Sequence, residues 1–176
     1  VGGIALTLLT YLHGLNYIAL KTKGVISTRA QNYSKAFYWV LYVGEVIFAL
    51  LLLFQTDFLK VHPVATLVLL ALIVAFSVAG HVATFANREG WAFTFSGLTL
   101  VSLVALIFCG LFPRVMISSI SSKYDLMIQT ASSSNYTLIV MTVATVILVP
   151  CILAYTIWSY WIFRKRIEMP AIGEGY

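Results

Sequence analysis

Five long apolar runs, each cut off by a charged, glycine or proline break, constrain this chain more than any other feature. They cover about residues 3–20, 36–55, 64–86, 91–112 and 137–163. A bilayer core of about 30 Å needs roughly 20 apolar residues in helical form, so each run is long enough to cross. The breaks carry recognisable punctuation. Lys21-Thr22-Lys23-Gly24 ends the first run, and His62-Pro63 separates the second from the third. Proline suits the first turn of a helix, where its missing N–H is not needed. Asn87-Arg88-Glu89-Gly90 forms a tight turn, and Pro113 stops the fourth run. Composition agrees. A soluble domain carries roughly 25% charged residues, whereas this chain has 10%, with 61% hydrophobic residues and a mean hydropathy of +0.95. The pattern predicts an all-α, polytopic transmembrane bundle of five helices forming a single membrane domain over 1–176.

Charge sets the expected direction of threading. Five crossings place Lys21, Lys23, Arg29, Lys35, Arg88, Arg164, Lys165 and Arg166 on one side, and Lys60, Arg114 and Lys123 on the other. The richer side is expected to be cytoplasmic. Residue 1 then starts outside and the C-terminus lies inside. Tyr38, Trp39, Trp91, Trp158, Tyr160 and Trp161 fall at run ends, where interfacial aromatics gather. The net charge of +5 is explained by these topology-setting residues, and no basic stripe with interleaved aromatics points to nucleic acid. The segment 113–136 is the one long external loop. Its Val115-Met116-Ile117 and Leu126-Met127-Ile128 triplets are too apolar for a free tether. The loop is expected to be ordered, folded along the membrane surface or against a partner. The apolar opening, with no basic leader region, does not have the form of a signal peptide.

Ionisable residues inside membrane spans are costly and are functional candidates by default. Three occur here: His13, Glu45 and His81. No HExxH, glycine-rich phosphate loop or nucleophile arrangement accompanies them. A bis-histidine haem needs both imidazoles at one depth. His13 lies roughly 15 Å from the outer end of its run and His81 roughly 25 Å from the outer end of its own. That mismatch favours interior hydrogen bonds over iron. Glu45 and His13 do fall at similar depth, on consecutive antiparallel runs. Glu45 is therefore expected to face the interior and bond His13 or the Asn16–Tyr17 turn. A neutral carboxyl bonded to a backbone carbonyl, and a proton-conducting role, stay open. Ser77, His81, Thr84 and Arg88 form a polar stripe at helical spacing, the mark of a packing seam or a water path. Pro150 is expected to kink the fifth helix and free the carbonyl of Val146, with Thr142 and Thr145 nearby. Cys109 and Cys151, inside apolar runs without metal-ligand spacing, are expected to be packed hydrophobes. Asn135-Tyr136-Thr137 matches a glycosylation sequon, a pattern too short to carry weight.

Particular stretches then narrow the class. "FPRVMISSI" (112–120), "YDLMIQTASSS" (124–134) and "YTLIVMTVATVILVPCILAYTIWSYWIFRKRI" (136–167) resemble the C-terminal part of subunit II of the cytochrome bd quinol oxidases. The matching positions include Phe112, Pro113, Ser118, Ser119, Leu126, Ala131, Ser132, Ser133, Leu138, Met141, Pro150, Tyr155, Tyr160, Phe163, Arg164 and Lys165. Ile128-Gln129-Thr130 departs from the more usual aromatic-Asn arrangement. "LTLLTYLHGLNYIALKTKG" (6–24) looks like the opening of the family's second half, so the five runs correspond to the fourth to eighth helices of an eight-helix subunit. The resemblance implies a complex in a prokaryotic cell membrane that oxidises quinol, reduces oxygen to water and contributes to the proton gradient. It implies b-type and d-type haems in subunit I, none bound by this chain, and a heterodimer in which this subunit stabilises its haem-bearing partner. The rival class is a small multi-helix transporter or permease component, which would show substrate flux on its own. A third reading, a haem-binding membrane anchor, would show a Soret band on its own.

Overall fold

The computed structural model describes residues 2–166, and the side chain of Ser122 is not among the described features. The stretch 167–176, expected on the cytoplasmic side, lies outside the described residues. The chain is helical almost throughout, as the apolar runs require: α1 (Gly2–Lys21), α2 (Val25–Gln55), a short α3 (Phe58–Val61), α4 (Pro63–Phe85), α5 (Glu89–Leu111), α6 (Ile128–Ala131) and α7 (Asn135–Ile162). The five long helices α1, α2, α4, α5 and α7 have the length and apolarity of membrane spans, with mean hydropathy of 1.3 to 2.6 in their most apolar stretches. Two short strands, β1 (Arg114–Met116) and β2 (Leu126–Met127), are the additions to the expected all-helical pattern.

One boundary differs from expectation by a wide margin. α2 starts at Val25, eleven positions before residue 36, and runs for 31 residues. Hydropathy marks the membrane slab, whereas a helix ends only where a residue breaks it. The stretch 25–35 is polar but holds no Gly or Pro. At 1.5 Å per residue, α2 is about 46 Å long and must project well beyond a 30 Å core. Its start is set by Gly24, whose φ of 72° lies in the left-handed region that glycine enters without steric cost. Asn87 plays the same part between α4 and α5 with φ 54°, a conformation asparagine tolerates better than most residues. Pro63 opens α4 at its first turn.

The described residues form two compact units, one built on residues 2–110 and one on Leu111–Lys165. In the first, α1 packs along α2, and α2 along α4. Its interior mixes apolar side chains such as Leu9, Leu12, Leu41, Ile73, Leu103 and Leu106 with buried Asn16, Ser34, Thr66, Ser77, Thr84, Ser96 and Thr99. Phe58 of α3 lies so close to Gly110 that a Cβ there would come within 2.1 Å of its ring.

In the second unit the segment after α5 is folded upon itself. β1 and β2 pair antiparallel, Arg114 opposite Met127 and Met116 opposite Leu126, with an irregularity between. The amide of Ile128 donates to the carbonyl of Pro113 (3.1 Å). Asp125 holds the loop together. It accepts from the Ser118 amide at 2.8 Å and pairs with Arg114 at 3.5 Å, its side chain only 3% exposed. Ser134 then caps α7 by accepting from the Thr137 amide.

α7 continues unbroken through Pro150, and none of its residues is buried. The hydroxyls of Thr142 and Thr145 bond the carbonyls of Leu138 and Met141 at 2.7 Å each. They do not serve Val146, because a threonine hydroxyl reaches back to the carbonyl four residues earlier on its own helix. Cys151 is exposed and Cys109 half-buried, both as free thiols. The expectation of packed cysteines therefore fails for Cys151, which sits on the helix with no buried face.

Candidate functional site

The chemistry-bearing side chains of the first unit are distributed over two seams. The first joins α1, α2 and α5. Asn16, 2% exposed, lies at its centre. Its Oδ1 accepts from the Ser34 hydroxyl at 2.7 Å, while its Nδ2 donates to Tyr38 Oη (3.5 Å) and to the Ala92 carbonyl (3.4 Å). One side chain thus ties three helices. Nearby, His13 Nδ1 lies 2.8 Å from Ser96 Oγ. The Ser96 hydroxyl is itself directed to the Phe93 carbonyl (2.9 Å), so hydrogen bookkeeping makes His13 Nδ1–H the donor. The imidazole stacks on Phe93, ring centres 4.4 Å apart. At the Gly24–Asn87 end, Gln31 Nε2 donates to Glu89 Oε1 (2.7 Å), and the Ser27 hydroxyl donates to the Ala19 carbonyl (3.1 Å).

The second seam joins α2 and α4 and contains the other two candidates. Glu45 Oε2 lies 3.0 Å from the Ser77 hydroxyl. His81 Nδ1 lies 2.8 Å from Tyr42 Oη. The polar stripe on α4 is therefore a packing seam directed at α2. The expected bond from Glu45 to His13 or the Asn16–Tyr17 turn is not formed. Two physical reasons account for this. Gly44 lies opposite Leu8, whose Cδ1 would be 3.8 Å from a Cβ at that position, which puts Glu45 about 7 Å along α1 from His13. Glu45 is also rotated one position past Gly44, about 100° around α2, and so turns from α1 towards α4. Glu45 also lines a small cavity together with Ala5, Leu8, Leu9, Leu41, Phe48 and Ile73.

The two histidines thus belong to different seams, each with Nδ1 engaged by a hydroxyl. Among the described residues no group of three His, Cys, Asp or Glu side chains is placed to hold a metal ion. His13 and His81 are therefore not paired with one another. Asp125 was missed by sequence reasoning, and Asn16 was named only as a possible partner of Glu45, not as the centre of a seam of its own. The signal for Asp125 was a lone acid in a serine-rich loop, eleven residues after Arg114. The signal for Asn16 was a carboxamide inside a membrane span, which needs partners as much as a charge does.

Five apolar spans with polar side chains reaching from helix to helix define an integral membrane protein of the helical-bundle class. The chain belongs to the cytochrome bd terminal oxidase subunit II family, whose sequence profile matches residues 1–163. It is 40% identical to the cytochrome bd ubiquinol oxidase subunit 2 of Bacillus subtilis (strain 168), over 96% of this chain and 50% of that protein. It is 44% identical to the cytochrome bd-I ubiquinol oxidase subunit 2 of Escherichia coli (strain K12), over 51% of this chain and 24% of that one. A probable cytochrome oxidase subunit 2 of Haemophilus influenzae is 34% identical over 69% of this chain and 30% of its own length. The chain spans about half the length of the Bacillus relative.

Proposed function

We propose that this chain is a membrane-spanning, non-haem-binding part of a quinol:oxygen oxidoreductase, corresponding to the second half of subunit II. It packs against a haem-bearing subunit I and stabilises it, while quinol oxidation and oxygen reduction take place on the partner's b-type and d-type haems. The observation that carries this reading is the family match over residues 1–163, joined to relatives named as ubiquinol oxidase subunits. The placement of His13 and His81 on different seams supports the absence of an axial haem pair here.

The charge bias supports a cytoplasmic location for the end of the first unit that carries Lys21, Lys23, Arg29, Lys35 and Arg88. The Gln31–Glu89 bond gathers the start of α2 and the start of α5 at that same end. The location proposed is a prokaryotic cell membrane, with the outer loop 113–136 available to the membrane surface or to the partner.

The test is copurification with absorption spectroscopy. A tagged form of the subunit is expected to bring down a haem-bearing protein and to show haem absorption only in its company. A Soret band from the purified subunit alone, or substrate flux in vesicles that carry it alone, would overturn the reading.

A further inference from the structure

Among the described residues, two buried side-chain polar atoms have no hydrogen-bond partner, Glu45 Oε1 and His81 Nε2. Both lie on the α2–α4 seam. Tyr42 and Glu45 are three residues apart on α2, and Ser77 and His81 are four apart on α4. The bonds Glu45–Ser77 (3.0 Å) and Tyr42–His81 (2.8 Å) are therefore two rungs about one helical turn apart. A single water bridges a gap of that size.

Proton counting constrains the inner rung. The Ser77 hydroxyl has one proton and two acceptors in reach, Glu45 Oε2 at 3.0 Å and the Val74 carbonyl at 3.1 Å. With Glu45 ionised, its carboxylate would share that one proton and otherwise face apolar walls, an arrangement strongly penalised inside a membrane. With a proton on Oε2, Glu45 donates to Ser77 Oγ, and Ser77 donates to Val74. Only one carbonyl-like oxygen is then left unpaired.

The outer rung is built differently. Four rings surround the His81 imidazole, with centres at 4.7 Å (Tyr38), 4.8 Å (Phe85), 5.4 Å (Tyr42) and 5.7 Å (Trp39). Aromatic faces at such distances accommodate a cation. Lys35 Nζ lies 5.4 Å from the Phe85 ring, which places this rung towards the Lys35 end of α2. The titratable groups around the seam are Lys35, Tyr38 and Tyr42 on α2 and His81 on α4. The cavity that Glu45 lines is bordered by Ala5, Leu8 and Leu9 from α1 and by Leu103 from α5. Among the described residues, the other side chains lining that cavity are apolar.

We propose that the two rungs form a proton-storage site with one entrance. Glu45 holds the proton as a neutral carboxyl, and the Tyr42–His81 rung loads and unloads it from the Lys35 end. On loading, His81 accepts a proton at Nε2 and passes its Nδ1 proton to Tyr42 Oη. Tyr42 releases its own hydroxyl proton through a bridging water to the Glu45 carboxylate. One proton enters, one is delivered, and His81 and Tyr42 end neutral. Unloading reverses each transfer.

The test is infrared spectroscopy of the full subunit in its membrane complex, transferred from H2O to D2O. The wild type is expected to show a carboxylic-acid carbonyl band that Glu45→Gln removes and Ser77→Ala shifts. Deuteration of that band is expected to slow by about tenfold in Tyr42→Phe and in His81→Gln, the weight of one lost relay bond. No band lost in Glu45→Gln, or unchanged deuteration in both relay variants, would overturn the proposal. If Glu45→Gln does not assemble, the Ser77→Ala shift decides, and its absence is equally fatal. The haem spectrum and copurification are unaffected by these outcomes, so failure here is distinguishable from failure of the oxidase reading.

Discussion

The two units of the molecule differ in whether any of their polar side chains reach a neighbouring helix; threonines such as Thr84 and Thr99 of the first unit bond their own helix, as those of α7 do. In residues 2–110, Asn16, Ser34, Tyr38, Glu45, Ser77 and His81 reach across to neighbouring helices. In α7, Thr142, Thr145 and Thr156 bond carbonyls four residues back on their own helix. The difference matters because lipid tails are as apolar as leucine. Burial of leucine therefore gives membrane helices little reason to choose one another, and packing of small residues with polar ties supplies the specificity. The first unit carries such ties internally. α7 carries none among its threonines, and its exposed surface is Ile, Val, Leu and aromatic along the whole helix. The 113–134 segment uses a third solution, a local one, with Asp125 satisfying the backbone and Arg114 next to it.

The sharpest way to break this contrast is steric. Gly110→Ala puts a methyl 2.1–2.5 Å from atoms of the Phe58 ring, and Phe58 is buried. The ring must move. The expected loss is about 3 kcal/mol, typical of overpacking at a tight contact, read as a lower unfolding temperature of the solubilised complex. Phe58→Leu in the same chain should restore much of it. An unchanged temperature in Gly110→Ala would show that the α3–α5 contact is not part of the first unit's fold.

Asn16→Ala comes next. It removes the acceptor of Ser34 and the donor to Ala92 and Tyr38, leaving buried groups on two helices without it. Membrane double-mutant work supports about 0.6–1.7 kcal/mol per such bond, so a loss of about 2 kcal/mol is expected. Asn16→Leu should not recover it, although leucine suits the bilayer better. Recovery by leucine would mean that apolar packing, not the polar tie, holds α1 in place.

The smaller effect of Asp125→Asn stays local. Asparagine keeps an oxygen for the Ser118 amide and loses the charge opposite Arg114. About 1 kcal/mol is expected, visible as faster amide exchange over 114–128 with little change in global unfolding. A global loss as large as that of Asn16→Ala would show that the loop is welded to the helices rather than folded on its own ties.

These contrasts also explain what was legible in the sequence. Four of the five spans were located to within a residue or two because Pro63, Asn87 and Pro113 mark helix boundaries through backbone sterics, which act locally. The start of α2 was not, since 25–35 leaves the apolar slab without leaving the helix. His13, Glu45 and His81 stood out because charge is rare at depth. Their partners did not, because partnership depends on rotation about the axis. Spacing gave Glu45 a depth, and one extra position past Gly44 turned it to Ser77 instead of His13. The hairpin was hidden because its register depends on Asp125 meeting Arg114 and the Ser118 amide, contacts that no periodicity encodes.

Thr145→Val is expected to have the smallest effect and tests the other side of the contrast. The Thr145 hydroxyl already spends its proton on the Met141 carbonyl at 2.7 Å. That carbonyl also takes part in the helix ladder, so losing the side-chain bond strands no buried donor. Valine keeps the β-branched shape and is at home in lipid. The expected change is under about 0.5 kcal/mol, the range of substitutions away from special features. Thr142→Val should behave alike, and the double variant should be additive, since each hydroxyl serves its own carbonyl. The measurement is the unfolding temperature of the complex for both single variants and the pair. A loss above about 1 kcal/mol, or strong non-additivity, would mean that these hydroxyls bond another helix in the assembly. α7 would then be tied like α1 and α2, and the division between the two units would disappear.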